Sequence, residues 1–262
     1  MSKPLAIITG ATGGIGEAIA RRLAQDNWRC LLVARSESAL HALRYQLGDE
    51  HLFLALDLND EAAPITIAQH AEAQGGATLL VNNAGLNQML PFENTPPNLM
   101  RKQLQVNLLA PMLLTQMLLP QLKSCQGTVV NIGSAFGAIG YPYQSAYCAS
   151  KFGLRGFSEA LSRELDGVVA IKYLAPRATD TQINDAQVRA MNTALGNKMD
   201  SPQQVAEIFM QLLNSKQRRK AVGFPEKLFA RINGLLPELV DSAIIKQLKT
   251  IKSFLGSRES SL

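Results

Sequence analysis

Short runs of aliphatic and β-branched residues recur along this chain at helix-length intervals: Leu5–Thr9, Cys30–Ala34, Leu52–Leu56, Leu79–Asn82, Thr128–Ile132, Val168–Tyr173 and, more weakly, Ala221–Phe224. They are mostly apolar from end to end and do not alternate polar with apolar. Such strands are buried on both faces, as in a parallel sheet covered by helices on either side. Between them, residues 14–26, 37–47, 61–74, 97–123, 144–166 and 202–214 have helical length, and Asp200-Ser201-Pro202 supplies a cap and a first-turn proline for the last. The pattern predicts an α/β fold, a Rossmann-type doubly wound parallel sheet of about seven strands with helices on both faces.

A chain of 262 residues holds one such domain. We expect residues 1–224 to form a nucleotide-binding and catalytic domain. Residues 175–200 break the strand–helix rhythm and carry Ile183, Met191, Leu195 and Met199 among polar residues, which suits a lid over a substrate cleft. Residues 225–262 form a basic amphipathic extension. Ile244, Leu248, Ile251 and Leu255 share one helical face opposite Lys246 and Lys249, and Phe224, Leu228, Ile232 and Leu235 form an earlier stripe. The net charge of +5 belongs to this end: residues 215–262 hold ten Lys/Arg against four Asp/Glu. A basic amphipathic helix suits peripheral contact with an anionic membrane, or packing on the core or on a subunit. Without a basic groove interleaved with aromatics, nucleic acid is not an expected partner.

No apolar stretch reaches the roughly 20 residues of a membrane span. Leu5–Ile8 runs into glycines and not into a cleavage site, so a cytoplasmic protein is expected. Cys30, Cys125 and Cys148 are scattered and show no metal-binding spacing, which predicts reduced thiols and no metal.

Thr9-Gly10-Ala11-Thr12-Gly13-Gly14-Ile15-Gly16 lies between the first strand and the first helix, where glycines permit a tight turn and free N–H groups attract a pyrophosphate. At the end of the second strand, where a carboxylate would bind the ribose hydroxyls of NAD, stand Arg35 and Ser36. A guanidinium there suits a 2′-phosphate and predicts NADP(H).

These glycines, Asp57-Leu58, Asn82-Asn83-Ala84-Gly85 and Tyr147-x-x-x-Lys151, in order over residues 5 to about 181, resemble the short-chain dehydrogenase/reductase family. Tyr147 and Lys151 fall on one helical face, and a nearby ammonium lowers a phenol pKa toward the working range. The resemblance implies that Tyr147 is the general acid and base, that Lys151 also binds the nicotinamide ribose, that Ser134 holds the substrate oxygen and that Asn107 links the lysine to a proton path. It places Gly10, Thr12, Gly14, Ile15 and Gly16 at the phosphates, Asp57 and Leu58 beside the adenine, Asn83, Ala84 and Gly85 at the ribose, and Pro176, Thr179 and Thr181 at the carboxamide. It also implies a homodimer or homotetramer, and a small-molecule carbonyl or alcohol substrate, here expected to be hydrophobic. Tyr141 and Tyr143 border the expected substrate cleft.

The chain departs from the family in two places. Arg177 follows Pro176 where relatives have glycine, a substitution expected to alter substrate access or to bind an acidic substrate group. The end lacks the glycine-rich segment of acyl-carrier reductases, which weakens a fatty-acid role. A catalytically silent NADP(H)-binding regulator of the same fold is the alternative, and an epimerase or dehydratase a more distant one.

Overall fold

The computed structural model describes residues 3–181, 183, 186–223 and 226–255. Seven strands, β1 (Leu5–Thr9), β2 (Arg29–Ala34), β3 (Leu52–Ala55), β4 (Leu79–Asn82), β5 (Thr128–Ile132), β6 (Ala170–Ala175) and β7 (Arg219–Ala221), form one sheet in the order β3-β2-β1-β4-β5-β6-β7. Every pairing is parallel. The strand order reverses between β1 and β4, and the two loops leaving them diverge to open a crevice at the carboxyl edge.

Alternation of side chains along each strand divides the core. Ile7, Leu31 and Val33 pack under α3 (Ala63–Ala73) and α5 (Ala110–Ser124), while Ile8 and Leu32 pack under α1 (Gly14–Gln25), α2 (Glu37–Leu47) and α8 (Pro202–Leu213). Ile7, Ile8, Leu31, Leu32 and Phe209 are fully buried, each contributing about 2 kcal/mol through area removed from water. The expected cap of α8 is present as a capping box, the Ser201 hydroxyl accepting from Gln204 N–H and the Gln204 amide oxygen from Ser201 N–H.

The expected helix over 97–123 is interrupted. It comprises α4 (Pro97–Leu104), a π-helical turn at Gln105–Leu109, and α5. Pro111 has no N–H to give the carbonyl four residues back, at Asn107, and the wider turn absorbs the break. Strand β6 begins later than expected because the Val168 and Val169 N–H groups are spent on the Leu165 carbonyl, closing off α6 (Ser145–Glu164). Strand β7 lies upstream of the expected position, and Phe224 is outside the described residues.

The lid region contains a helix, α7 (Ala186–Ala194), and the extension contains α9 (Glu226–Asn233) and α10 (Pro237–Ser253). Val240 and Ile251 are the buried positions of α10, and Ile251 joins Met89, Val188 and Met191 in a small core of its own. The stripe expected on α9 is not buried: Leu228 is 45% exposed and Leu235, beyond the helix end, 82%. Its neighbouring elements leave that face uncovered.

Candidate active site

The loop after β1 is shaped by close backbone approach. Gly10 has φ +64°, and a Cβ there would stand 2.8 Å from Ala84 Cα. Asn83 locks the two diverging loops together: its side-chain amide donates to the Thr9 and Gly10 carbonyls at 2.9 and 3.2 Å, while the Thr9 hydroxyl accepts from Asn83 and Ala84 N–H. Gly16 does not line the cavity. A Cβ there would lie 2.2 Å from the Gly10 carbonyl oxygen, so Gly16 lets α1 sit against the loop. No side chain caps the start of α1, whose first N–H groups, beside Thr12, Gly14 and Ile15, are left for an anion.

At the far end of this crevice Arg35 is exposed and makes no ion pair among the described residues. Ser36 caps α2, accepting from Ala39 N–H at 3.3 Å. Asp57 accepts from Asn59 N–H at 2.9 Å in a local turn, and Leu58 is a core residue at the cavity edge. These residues, the glycines and Gly85 form a cradle that suits an adenine dinucleotide. The buried Thr181 hydroxyl, in the same cavity, has no partner among the described residues.

Tyr147 and Lys151 lie one turn apart on α6, 8% and 4% exposed. Lys151 Nζ sits 5.8 Å from the Tyr147 ring centre and donates to the Ile132 carbonyl at 3.0 Å. Burial pushes the Tyr147 phenol up to about 12, against a smaller opposing hydrogen bond from Ser134. Burial likewise brings Lys151 down to about 8. The expected lowering of the phenol by the lysine is not found: the ammonium is held toward the end of β5 and does not contribute, and desolvation of the phenolate dominates. Ser134 accepts from Phe136 N–H at 3.1 Å, and the Phe136 ring meets Tyr147 edge-on and stacks on Tyr141. Asn107 stands behind the cavity wall, in the π-helical turn, where its carbonyl oxygen accepts from Leu86 N–H at 2.7 Å and its amide donates to Leu86 O and Ser150 Oγ. It fixes the backbone beside Gly85.

One cavity of about 1000 Å³ joins the glycine loop, Arg35, Ser134, Tyr147, Lys151, Pro176, Thr179 and Thr181. Its other wall is apolar and comes from residues distant in sequence: Ile139, Tyr141, Val188, Met191, Phe229, Val240 and Ile244. Of the last three, only Ile244 lay on the amphipathic stripe expected of the extension, and nothing local marked Phe229, Val240, Ile139, Phe136 or Gln144. Ile183 lines the cavity and Leu195 packs beside Met191, but Met199 and Tyr143 do not reach it. Tyr143 instead occupies a left-handed turn, φ +65°, whose carbonyl accepts from Leu90 N–H.

Arg177 does not present a bare cation to the cavity. Its guanidinium grips Asp200 bidentately, at 2.9 Å from Nε and 2.6 Å from Nη2, with both side chains nearly buried. The Asp200 carbonyl also accepts from Asp180 N–H, so the pair pins the base of the lid to the approach of α8. The expectation that Arg177 binds an acidic substrate group fails for that reason.

A family model described as short chain dehydrogenase matches residues 4–192. The chain belongs to the short-chain dehydrogenase/reductase family. A 3-oxoacyl-(acyl-carrier-protein) reductase of Bos taurus is 38% identical over 167 residues, 63% of this chain and 70% of the relative. Among solved structures, a short-chain dehydrogenase from Streptomyces avermitilis superposes with a TM-score of 0.80 at 26% identity, over 96% of this chain and 98% of that one. A 3-ketoacyl-(acyl-carrier-protein) reductase from Brucella melitensis complexed with NADH gives 0.77 at 25% identity, over 85% and 98%. As a member of this family the protein is an oxidoreductase acting on CH–OH and C=O groups.

Proposed function

We propose that this oxidoreductase uses NADP(H) to interconvert a carbonyl and an alcohol on a hydrophobic small molecule, with Tyr147 as general acid and base. The observation that carries the reading is the single cavity in which Arg35, without an ion pair among the described residues, lies at one end and Ser134, Tyr147 and Lys151 at the other. Gly10, Thr12, Gly14 and Ile15 would hold the pyrophosphate, Arg35 and Ser36 the 2′-phosphate, and Asp57 and Leu58 the adenine side. Asn83, Ala84, Gly85 and Lys151 would hold the nicotinamide ribose, and Pro176, Thr179 and Thr181 the carboxamide. When bound, the nicotinamide supplies or accepts a hydride.

The chain's own groups handle the proton. A phenol held near pKa about 12 keeps its proton at neutral pH and donates it to a carbonyl oxygen that is gaining charge. The Ser134 hydroxyl orients that oxygen, and the Lys151 ammonium offsets the phenolate left behind. Oxidation runs the same contacts backwards and requires the phenolate first. The apolar wall formed by α7 and α10 favours a hydrophobic body on the substrate.

The test is NADPH and NADH oxidation with aldehydes, ketones, steroids and 3-oxoacyl thioesters, for wild type, Tyr147→Phe and Arg35→Glu. We expect turnover preferring NADPH, a fall of about 10³-fold in Tyr147→Phe, and loss of the NADPH preference in Arg35→Glu. NADPH binding without turnover on any carbonyl would favour the silent regulator.

The domain reading follows: the dinucleotide-binding and catalytic part ends near residue 224, and the extension completes the substrate wall. Leu109, Met112, Met117 and Phe152, exposed on α5, α6 and the turn before α5, support a homodimer or homotetramer, which light scattering would detect. Among the described residues no helix is long and apolar enough to cross a membrane. Leu235, Leu236 and Leu239 are 82%, 55% and 61% exposed, which supports peripheral membrane contact through their apolar side chains, although Glu238 and Asp241 beside them oppose attraction to anionic lipid. Equal sedimentation of wild type and Leu235→Ser/Leu239→Ser with anionic liposomes would remove that reading.

A further inference from the structure

Most buried polar atoms around the cavity are accounted for by a hydrogen bond or by the cofactor cradle. Asn87 Oδ1 and Gln144 Oε1 are not, and of the two residues Gln144 is the more deeply buried. It is 3% exposed, lines the cavity at the residue preceding α6, and lies three positions before Tyr147 on the same turn. Its amide oxygen is buried and has no partner among the described residues. Its backbone is fully used: Gln144 N–H donates to Tyr141 O, and Gln144 O accepts from Cys148 N–H at 2.8 Å. A small second pocket that Gln144 also borders has a volume of about 10 Å³, room for one water at most, so only the main cavity offers space for a ligand.

An unpaired buried amide costs about 1–3 kcal/mol relative to a paired one. A side chain that brings such a cost beside the reacting group is explained if a ligand pairs it. We infer that Gln144 is a substrate-binding residue that reads a hydroxyl group close to the reacting carbonyl, so that the substrate is an apolar hydroxyketone or, in the reverse direction, the corresponding diol. A hydroxyl suits the site because it donates to the amide oxygen and accepts from the amide nitrogen, whereas Ile139, Val188, Met191 and Ile244 in the same cavity offer contact to an apolar body. This inference rests on the carbonyl reductase reading above.

The experiment compares kcat and KM for octan-2-one, 1-hydroxyoctan-2-one and 4-hydroxyoctan-2-one with NADPH, in wild type, Gln144→Met and Gln144→Glu, together with Tm. The ratio of hydroxyketone to ketone within each variant cancels the intrinsic reactivity of the carbonyls. We expect at least one hydroxyketone to be preferred by wild type, and Gln144→Met to lower kcat/KM for it by about 10- to 100-fold, mostly through KM. The loss on octan-2-one should be clearly smaller than that on the preferred hydroxyketone, and Gln144→Glu, which keeps an acceptor, should retain part of the preference. Because Gln144 makes no side-chain hydrogen bond among the described residues, Tm of Gln144→Met should be unchanged or higher. A lower Tm, an equal loss on all three ketones, or an unchanged ratio would each overturn the inference and leave the reductase reading standing. Failure of wild type to reduce these or any other carbonyl while binding NADPH would bring down both.

Discussion

The two walls of the cavity are built from different materials. The nucleotide wall is mostly backbone: Gly10 lets main chain approach closely, Gly16 lets α1 pack against the loop, and Asn83 and Thr9 tie the loops of β1 and β4 together. The substrate wall is side chain: apolar residues of α7, α9 and α10 reach the same space from elements far apart in sequence, and Phe229 at its edge is 38% exposed. A backbone-built wall tolerates almost no change in shape, since a clash with main chain has nowhere to relax. A side-chain wall can be repacked at modest cost, which lets one fold keep its cofactor while changing its substrate.

The contrast is broken most forcefully at Gly16. In Gly16→Ala the new methyl would meet the Gly10 carbonyl oxygen at 2.2 Å and the Asn83 amide at 2.5 Å, so the loop must move. We expect NADPH affinity, measured by fluorescence titration, to fall about 100-fold, which corresponds to roughly 3 kcal/mol. An alanine that left affinity within about threefold would show that the loop is softer than its hydrogen bonds indicate.

Arg177 joins the two walls and gives the next largest effect. Arg177→Gly, which restores the residue common in relatives, leaves the Asp200 carboxylate nearly buried without its guanidinium. The expected loss of stability is about 3 kcal/mol by urea unfolding, and Arg177→Gly/Asp200→Ser should recover much of it. Equal stability of the two variants would mean that the pair contributes no coupling.

The same division separates what is legible in the amino-acid sequence from what is not. The strands β1, β4 and β5, helix α2, and the gathering of Gly10, Arg35, Tyr147 and Lys151 into one cleft were legible because each depends on local features: an apolar run, a glycine that a turn demands, a strand end, or two groups four residues apart on a helix. The break at Gln105–Leu109 was hidden because Pro111 also suits the start of a new helix, and nothing local shows that its missing N–H falls to Asn107. Arg177 was misread because its partner Asp200 lies 23 residues away, and local sequence carries no sign of the pairing. For the stripe ending at Leu235 both membrane contact and packing were open, because amphipathic period states only which residues share a face, not whether anything packs on it. Phe136, Gln144 and Ile139 carried no signal, since their role depends on loops that meet only in the fold.

Between the walls, Lys151 contributes to function against stability. Its folded pKa of about 8 lies below the ordinary lysine value of 10.5, so between those pH values the unfolded chain binds more protons and stability rises with pH. Below about pH 8 both states carry the charge and its burial cost is fully present. Lys151→Met should therefore raise Tm at pH 7 by an amount corresponding to about 1–3 kcal/mol, and the advantage over wild type should shrink as pH climbs toward 10. Turnover of the variant should be nearly lost at every pH. A variant less stable than wild type at pH 7 would show that the bond to Ile132 O outweighs desolvation.

The smallest effect is expected on the substrate wall. Ile244 is partly buried on α10 and faces the cavity, and the helix is held independently by Val240 and Ile251, so trimming Ile244 to alanine removes contact with substrate and little else. Losing about three methyl or methylene groups from a partly filled apolar wall is worth about 1 kcal/mol of binding, because the remaining side chains and substrate can close part of the gap. KM for a long apolar carbonyl should rise about fivefold, with kcat and NADPH affinity unchanged. A short carbonyl that never reaches α10 should be indifferent to the change. If kcat fell for both substrates together, the wall would be coupled to the positioning of Tyr147, and the independence of the two walls would be lost.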